Sequence, residues 1–256
     1  MDTLIGSYIR SAASRVRDTE RVGPFLATFS RHSANPYLNY AVPDDGAAPS
    51  PADVAALVDA YRRRGRTPRL EYLPGLAPAV EAALAAAGFT VEGRLPLMVC
   101  APGSERAVPV PPGIELIAPT SDADILAMAT VQNEAYGDPD PPSRADVDDR
   151  RATLAAGGIA ILARDAVTCE PAGAGICDVP MRGVTELAGV AVRDRFRRRG
   201  IAAAMTARLT RAAFAAGVAT VFLMPAHDEG ERIYGRAGFA TTSQILHISL
   251  PRASSD

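Results

Sequence analysis

Arg197, Arg198 and Arg199 stand immediately before Gly200 and an apolar run in which Ile201, Met205, Leu209 and Ala213 recur on one face. That spacing predicts a helix over 199–216, with Gly217 as its left-handed C-terminal cap. A helix N-terminus carries roughly +0.5 of a charge, so basic residues there cost about 0.3–1 kcal/mol each. Three arginines crowding such an end break a local rule, and a bound anion restores it, because free helix N–H groups and guanidinium forks both hold phosphate. Gly200 and Ala202 carry little or no side chain, so a bulky phosphate can approach the backbone. This points to a phosphate-bearing cofactor, set against the plainer reading of a solvated basic turn.

Glu186 is the next residue with chemical reach. It interrupts an otherwise apolar strand, Thr185–Val192, and strict alternation places it on one face with Ala188, Val190 and Val192. A carboxylate beside a cofactor cleft can take a proton from an ammonium group, directly or through water; a strand-end glutamate in solvent is the competing reading. Cys177 has no histidine near it in sequence and reads as a small buried hydrophobe, so a covalent route through it is set aside.

The elements around these residues follow from pattern. Ile114–Ile117 reads as a strand, Asp122–Ala135 as a helix and Arg144–Ala156 as another, parted by Gly137-Asp-Pro-Asp-Pro-Pro142. Gly158–Arg164 and Ala172–Val179 alternate as a hairpin. Strand 185–192, the helix and strand 219–224 make a βαβ crossover whose strands are parallel; helix 229–237 and strand 243–250 follow. The rest is expected to be largely antiparallel, giving an α/β (α+β) fold with a mixed sheet flanked by helices.

Arg197-Arg-Arg-Gly200-Ile-Ala202 resembles the Arg/Gln-x-x-Gly-x-Gly/Ala pyrophosphate loop of the GNAT superfamily, the acyl-CoA-dependent N-acyltransferases. Ile233-Tyr234-Gly-Arg-Ala-Gly238-Phe239 is similar to that superfamily's Tyr-x-x-x-Gly-Phe ending, and the resemblance covers roughly 113–250. It implies an acetyl-CoA donor, with Val190, Ala191 and Val192 pairing with the pantetheine arm. Arg197 and the loop amides of Arg198, Arg199, Gly200, Ile201, Ala202 and Ala203 would take the pyrophosphate. Tyr234 matches the tyrosine that protonates the departing thiolate. His227 stands near where relatives carry a cofactor-contacting Asn or Asp. Some relatives place a catalytic glutamate in the strand matching Thr220–Met224, which has none, so the base role moves to Glu186. The segment holding Glu134, Asp138, Asp140, Asp146, Asp148 and Asp149 would line the acceptor side and suits a cationic amine, unless it is only a solvated acidic loop.

Composition narrows the rest. The chain has 256 residues, 48% of them hydrophobic, a net charge of −2 and no lysine, its 27 basic residues all being arginine. Schiff-base, pyridoxal-phosphate and P-loop chemistry therefore fall away. No strong positive field supports nucleic-acid binding. Cys100, Cys169 and Cys177 with His32, His227 and His247 form no metal-binding spacing, so no metal is expected. The first residues lack an export signature and no apolar run reaches membrane-spanning length, so a cytoplasmic protein without a membrane partner is expected.

The N-terminal half repeats part of the pattern. Ser50 and Pro51 open a helix over 52–64, followed by strand 69–73, helix 77–87 and Ala87-Gly88-Phe89, as Ala237-Gly238-Phe239 closes the later unit. A diverged duplication or chance recurrence of an α/β unit accounts for this. Arg62-Arg-Arg-Gly65 looks like a second phosphate loop but ends a helix, where basic residues merely complement the dipole. The expected organisation is a degenerate GNAT-like domain over 1–105, a proline-rich linker over 106–113 and a catalytic domain over 114–256. The reading is an N-acetyltransferase acting on a primary amine. Its alternatives are a non-catalytic acyl-CoA-binding module and a tandem-GNAT aminoacyl or peptidyl transferase.

Overall fold

A computed structural model of the chain describes residues 1–15, 17–31, 33–137, 140–225 and 228–251. The first elements are α1 (Asp2–Arg15), β1 (Asp18–Val22), β2 (Phe25–Phe29), β3 (Ala41–Pro43), α2 (Pro51–Arg63), β4 (Arg69–Tyr72), α3 (Pro78–Ala86) and β5 (Thr90–Cys100). Then come β6 (Ile114–Ile117), α4 (Asp122–Tyr136), α5 (Arg144–Ala155), β7 (Ile159–Asp165), β8 (Pro171–Cys177) and β9 (Val184–Val192). The chain closes with α6 (Ile201–Ala215), β10 (Thr220–Leu223), α7 (Asp228–Arg236) and β11 (Ala240–Ser249).

These elements fall into two compact units: Met1–Leu97 with the chain from Ser243 on, and Met98–Thr242. The proline-rich segment 106–113 lies within the second, where the Arg106 amide donates to the Ala237 carbonyl at 3.0 Å. In the first unit the strand order is β1-β2-β3-β4-β11-β5, and β3 and β4 run parallel across the α2 crossover. Phe25, Leu57, Tyr61, Leu70 and Leu84 are buried there. No helix among the described residues is long and apolar enough to cross a membrane.

In the second unit the order is β5-β10-β9-β8-β7-β6, all antiparallel except β10 against β9. The parallel pair is the expected crossover through α6. Small residues on β8 let α6 lie close: a Cβ on Gly173 would stand 3.0 Å from the Met205 methyl, and one on Gly175 3.1 Å from Leu209. Met205, Leu209 and Ala213 join Leu187, Val221 and Leu223 in that core, while Met128 and Val131 of α4 cover the opposite face with Ala174 and Ala191.

Two expectations are corrected. The helix starts at Ile201, because Gly200 sits at φ +85° in the left-handed region, so Arg197–Arg199 precede it and do not form its first turn. The alternation along β9 is also broken. Ala188 faces Ile176 and Ala191 faces Ala174, so three steps on β9 match two on β8. This bulge reverses the phase beyond it. Glu186 and Ala188 therefore share a face with Ala191, whereas Val190 and Val192 turn toward the α6 core.

Candidate functional site

The register of β10 on β9 ends at Phe222 opposite Glu186, and β9 continues for six further residues. Main-chain groups alternate in direction along a strand. The Glu186 carbonyl accepts from Asp178 and the Arg193 amide donates to Ala172, both toward β8. Val190 and Val192 consequently direct their main chains to the edge that β10 leaves open, and Ala191 directs its own to β8. Gly189 makes the bulge with φ +61°, and its carbonyl accepts from Gln132 Nε2 at 2.8 Å.

Beyond this edge the chain turns through Arg193–Gly200 into α6. Arg193 is fixed: it forks onto Glu134 at 2.7 and 2.9 Å and donates to Pro171 O at 3.0 Å. Arg197 folds back onto Val192 O at 3.2 Å and pairs with Asp194 at 2.9 Å. Arg195 and Arg199 lie over the Phe196 ring, at 5.3 and 5.5 Å from its centroid. Arg198 is exposed and takes φ +61°, a conformation a non-glycine residue adopts at a cost.

Left-handed Arg198 and Gly200 deliver the chain to an α6 N-terminus with no side-chain cap and no acidic residue in its first turn. Of the other helices, α3 also opens without a side-chain cap, at Ala77, but it carries Glu81 in its first turn. Ser50 with Asp53, Ser121 with Asp124 and Ser143 with Asp146 close complete capping boxes on α2, α4 and α5. The first N–H groups of α6, including those of Ile201, Ala202 and Ala203, meet no side-chain cap among the described residues, and exposed Arg197, Arg198 and Arg199 precede them. His227 lies outside the described residues, as does Asp138.

Glu186 and Tyr234 are linked through a residue that the sequence reading passes over. Tyr136 ends α4, where Gly137 caps the helix at φ +69°. Burial raises the pKa of its hydroxyl and the charge of Glu186 adds to that, although solvent still reaches 62% of the residue. Burial pushes Tyr234 up to about 12, with Tyr136 as the next contributor, and its ring packs edge-on to Phe239 at 6.5 Å. Cys177 is buried and pushed up to about 12 by desolvation, so it stays a thiol.

Much of the acidic segment is neutralised where it stands. Glu134 is held by Arg193, Asp146 by its capping box, and Asp148 by Arg144 and Arg151. Asp140 receives Asn133 on its main-chain oxygen.

Residues 125–239 match the model of the Acetyltransferase (GNAT) family. The chain is similar in structure to a GCN5-related N-acetyltransferase from Kribbella flavida, with 25% identity and a TM-score of 0.81 over 100% of this chain and 97% of that one. A GCN5-related N-acetyltransferase from Sphaerobacter thermophilus shares the fold at 16% identity and a TM-score of 0.65, over 90% of this chain and 78% of that one. A tandem GNAT protein from the clavulanic acid biosynthesis pathway shares it at 12% identity and 0.65, over 96% and 89%. Among curated proteins none matches.

Proposed function

We propose that this chain, whose residues 125–239 match the GNAT acetyltransferase family, is an N-acetyltransferase that transfers acetyl from acetyl-CoA to a primary amine by direct attack. The observation that carries this reading is the uncapped N-terminus of α6, set beside the unpaired edge of β9 at its bulge. When bound, acetyl-CoA supplies a thioester carbonyl open to an amine. The backbone of Val190 and Val192 would line its arm. The amides from Arg198 to Ala203, with the guanidinium of Arg197, would hold its pyrophosphate.

Glu186 projects on the α4 side of β9 and serves as the base that removes the ammonium proton. Tyr234 keeps its hydroxyl proton throughout the neutral range and offers it to the departing sulfur. Cys177, buried and protonated, takes no covalent part.

The first unit is proposed to be structural. Its own crossover helix, α2, is capped by Ser50 and Asp53, so the position equivalent to the α6 loop offers an anion a carboxylate where the second unit offers bare amides.

Calorimetric titration of acetyl-CoA into wild-type protein and Gly200→Glu tests the reading. Binding is expected in the wild type and not in the variant, whose new side chain must adopt φ +85° and brings negative charge to the loop. No binding by the wild type overturns it.

A further inference from the structure

Arg150 of α5 is half-buried, and its only hydrogen bond among the described residues runs from Nη2 to Gln132 Oε1 at 2.7 Å. The other arginines of this region each meet a carboxylate: Arg144 and Arg151 pair with Asp122 and Asp148, and Arg193 with Glu134. Burial lowers the Arg150 pKa, and the charges of Asp146 and Asp149 offset only part of that, yet neither bonds to it. A guanidinium has five N–H donors. Four of these therefore have no protein acceptor among the described residues, and a partly desolvated cation is costly to leave without a partner.

Its position is specific. Gln132 is 6% exposed and spends its amide on Gly189 O at the bulge, so Arg150 is tied through one side chain to the point where β9 opens. Tyr136 lies one turn further along the same face of α4, roughly 5–6 Å away, and is the residue that feels the Glu186 charge. Arg150 is thus tied to the turn of α4 that ends at Tyr136, on the face of β9 that carries Glu186.

Building on the acetyltransferase reading, we infer that Arg150 binds a carboxylate of the acceptor, which makes the acceptor a small amino acid whose amine is presented to Glu186. A planar guanidinium with free donors matches a carboxylate in two parallel bonds, and its partial burial strengthens that match. Gln132 then acts as a positioning residue, holding the guanidinium relative to the bulge.

The test offers α- and ω-amino acids and their carboxamides as acceptors, follows thiol release from acetyl-CoA, and measures acetyl-CoA binding by calorimetry in parallel. An acid preferred over its own amide by about 10-fold or more is expected, since a hydrogen bond to a charged group is worth about 1.5–3 kcal/mol. In Arg150→Gln that acid falls to the level of its amide, while acetyl-CoA still binds; Arg150→Lys, which keeps the charge, retains part of the preference. A merely structural arginine would slow acids and amides alike, and that result overturns the inference. So does a protein that binds acetyl-CoA but acetylates no amino acid, or acids and amides equally. Failure to bind acetyl-CoA overturns the acetyltransferase reading itself, and the two failures are distinguished by the calorimetry.

Discussion

Gln132 Nε2 donates to the carbonyl of Gly189 at 2.8 Å, and this bond pins α4 to the bulge of β9. The same approach explains why residue 189 is glycine. A Cβ there would lie 2.2 Å from Gln132 Nε2, at a residue whose φ is +61°. The bulge that opens the strand edge and the helix that supports it are therefore one construction.

Gly189→Ala is expected to destabilise the protein by about 2–4 kcal/mol, combining left-handed strain with overpacking. Gln132→Ala costs about 1–3 kcal/mol through the bond lost at a buried site. In the double variant the overpacking has gone, so Gly189→Ala then costs only about 1–2 kcal/mol. A urea-unfolding double-mutant cycle reads this directly. Strict additivity would show that the two residues do not meet.

Glu186→Gln is expected to lower kcat by about 10²- to 10⁴-fold, the usual loss for a missing general base. It carries a second consequence that an exposed strand-end glutamate would not. Glu186 raises the Tyr136 pKa by its charge. Removing that charge lets the phenol ionise at lower pH, which ultraviolet titration of Glu186→Gln against Glu186→Gln/Tyr136→Phe resolves. An unmoved Tyr136 would place Glu186 too far away to share its cleft.

Local signals carried most of the second unit. The left-handed stop at Gly217, the break that opens at Gly137 and the βαβ crossover are each written within a few neighbouring residues. The bulge was less visible, because alternation alone keeps Glu186 in phase with Val190 and Val192. The available signal was a lone glycine inside an apolar strand, which marks such sites. Tyr136 and Arg150 were out of reach, since their meaning comes from tertiary approach to Glu186 and to Gln132. The strands before residue 43 were unreadable for another reason. Asp18-Thr-Glu-Arg-Val22 pairs with a neighbour on one side and is mostly exposed, so it lacks the apolar alternation that identifies a strand.

The three cysteines should separate cleanly in a thiol titration. Burial pushes Cys100 up to about 11 and Cys177 up to about 12, whereas Cys169 is exposed. Because the thiolate is the reacting form, one equivalent should react quickly with an aromatic disulfide reagent and two only after unfolding. Cys177→Ala should keep acetyl transfer within about threefold of wild type, as expected where no acyl-cysteine forms. Loss of turnover in a stable Cys177→Ala protein would restore the covalent route.

Tyr234→Phe is expected to reduce kcat by about 10²-fold through loss of a general acid, with little change in acetyl-CoA affinity. The pH dependence follows from the direction of the shift. Burial raises the phenol from its ordinary 10.0 to about 12, so the folded protein holds this proton where the unfolded chain releases it. The stabilisation is complete below pH 10.0 and is lost as pH rises toward about 12. Wild-type stability should therefore fall more steeply than that of Tyr234→Phe above pH 10.0, and the rate should show no alkaline limb from this tyrosine below that point. Chemical unfolding and rate profiles of both proteins check the two statements. A kinetic pKa near 9 that vanishes in Tyr234→Phe would mean that the phenol is solvated and not held in the core beside Phe239.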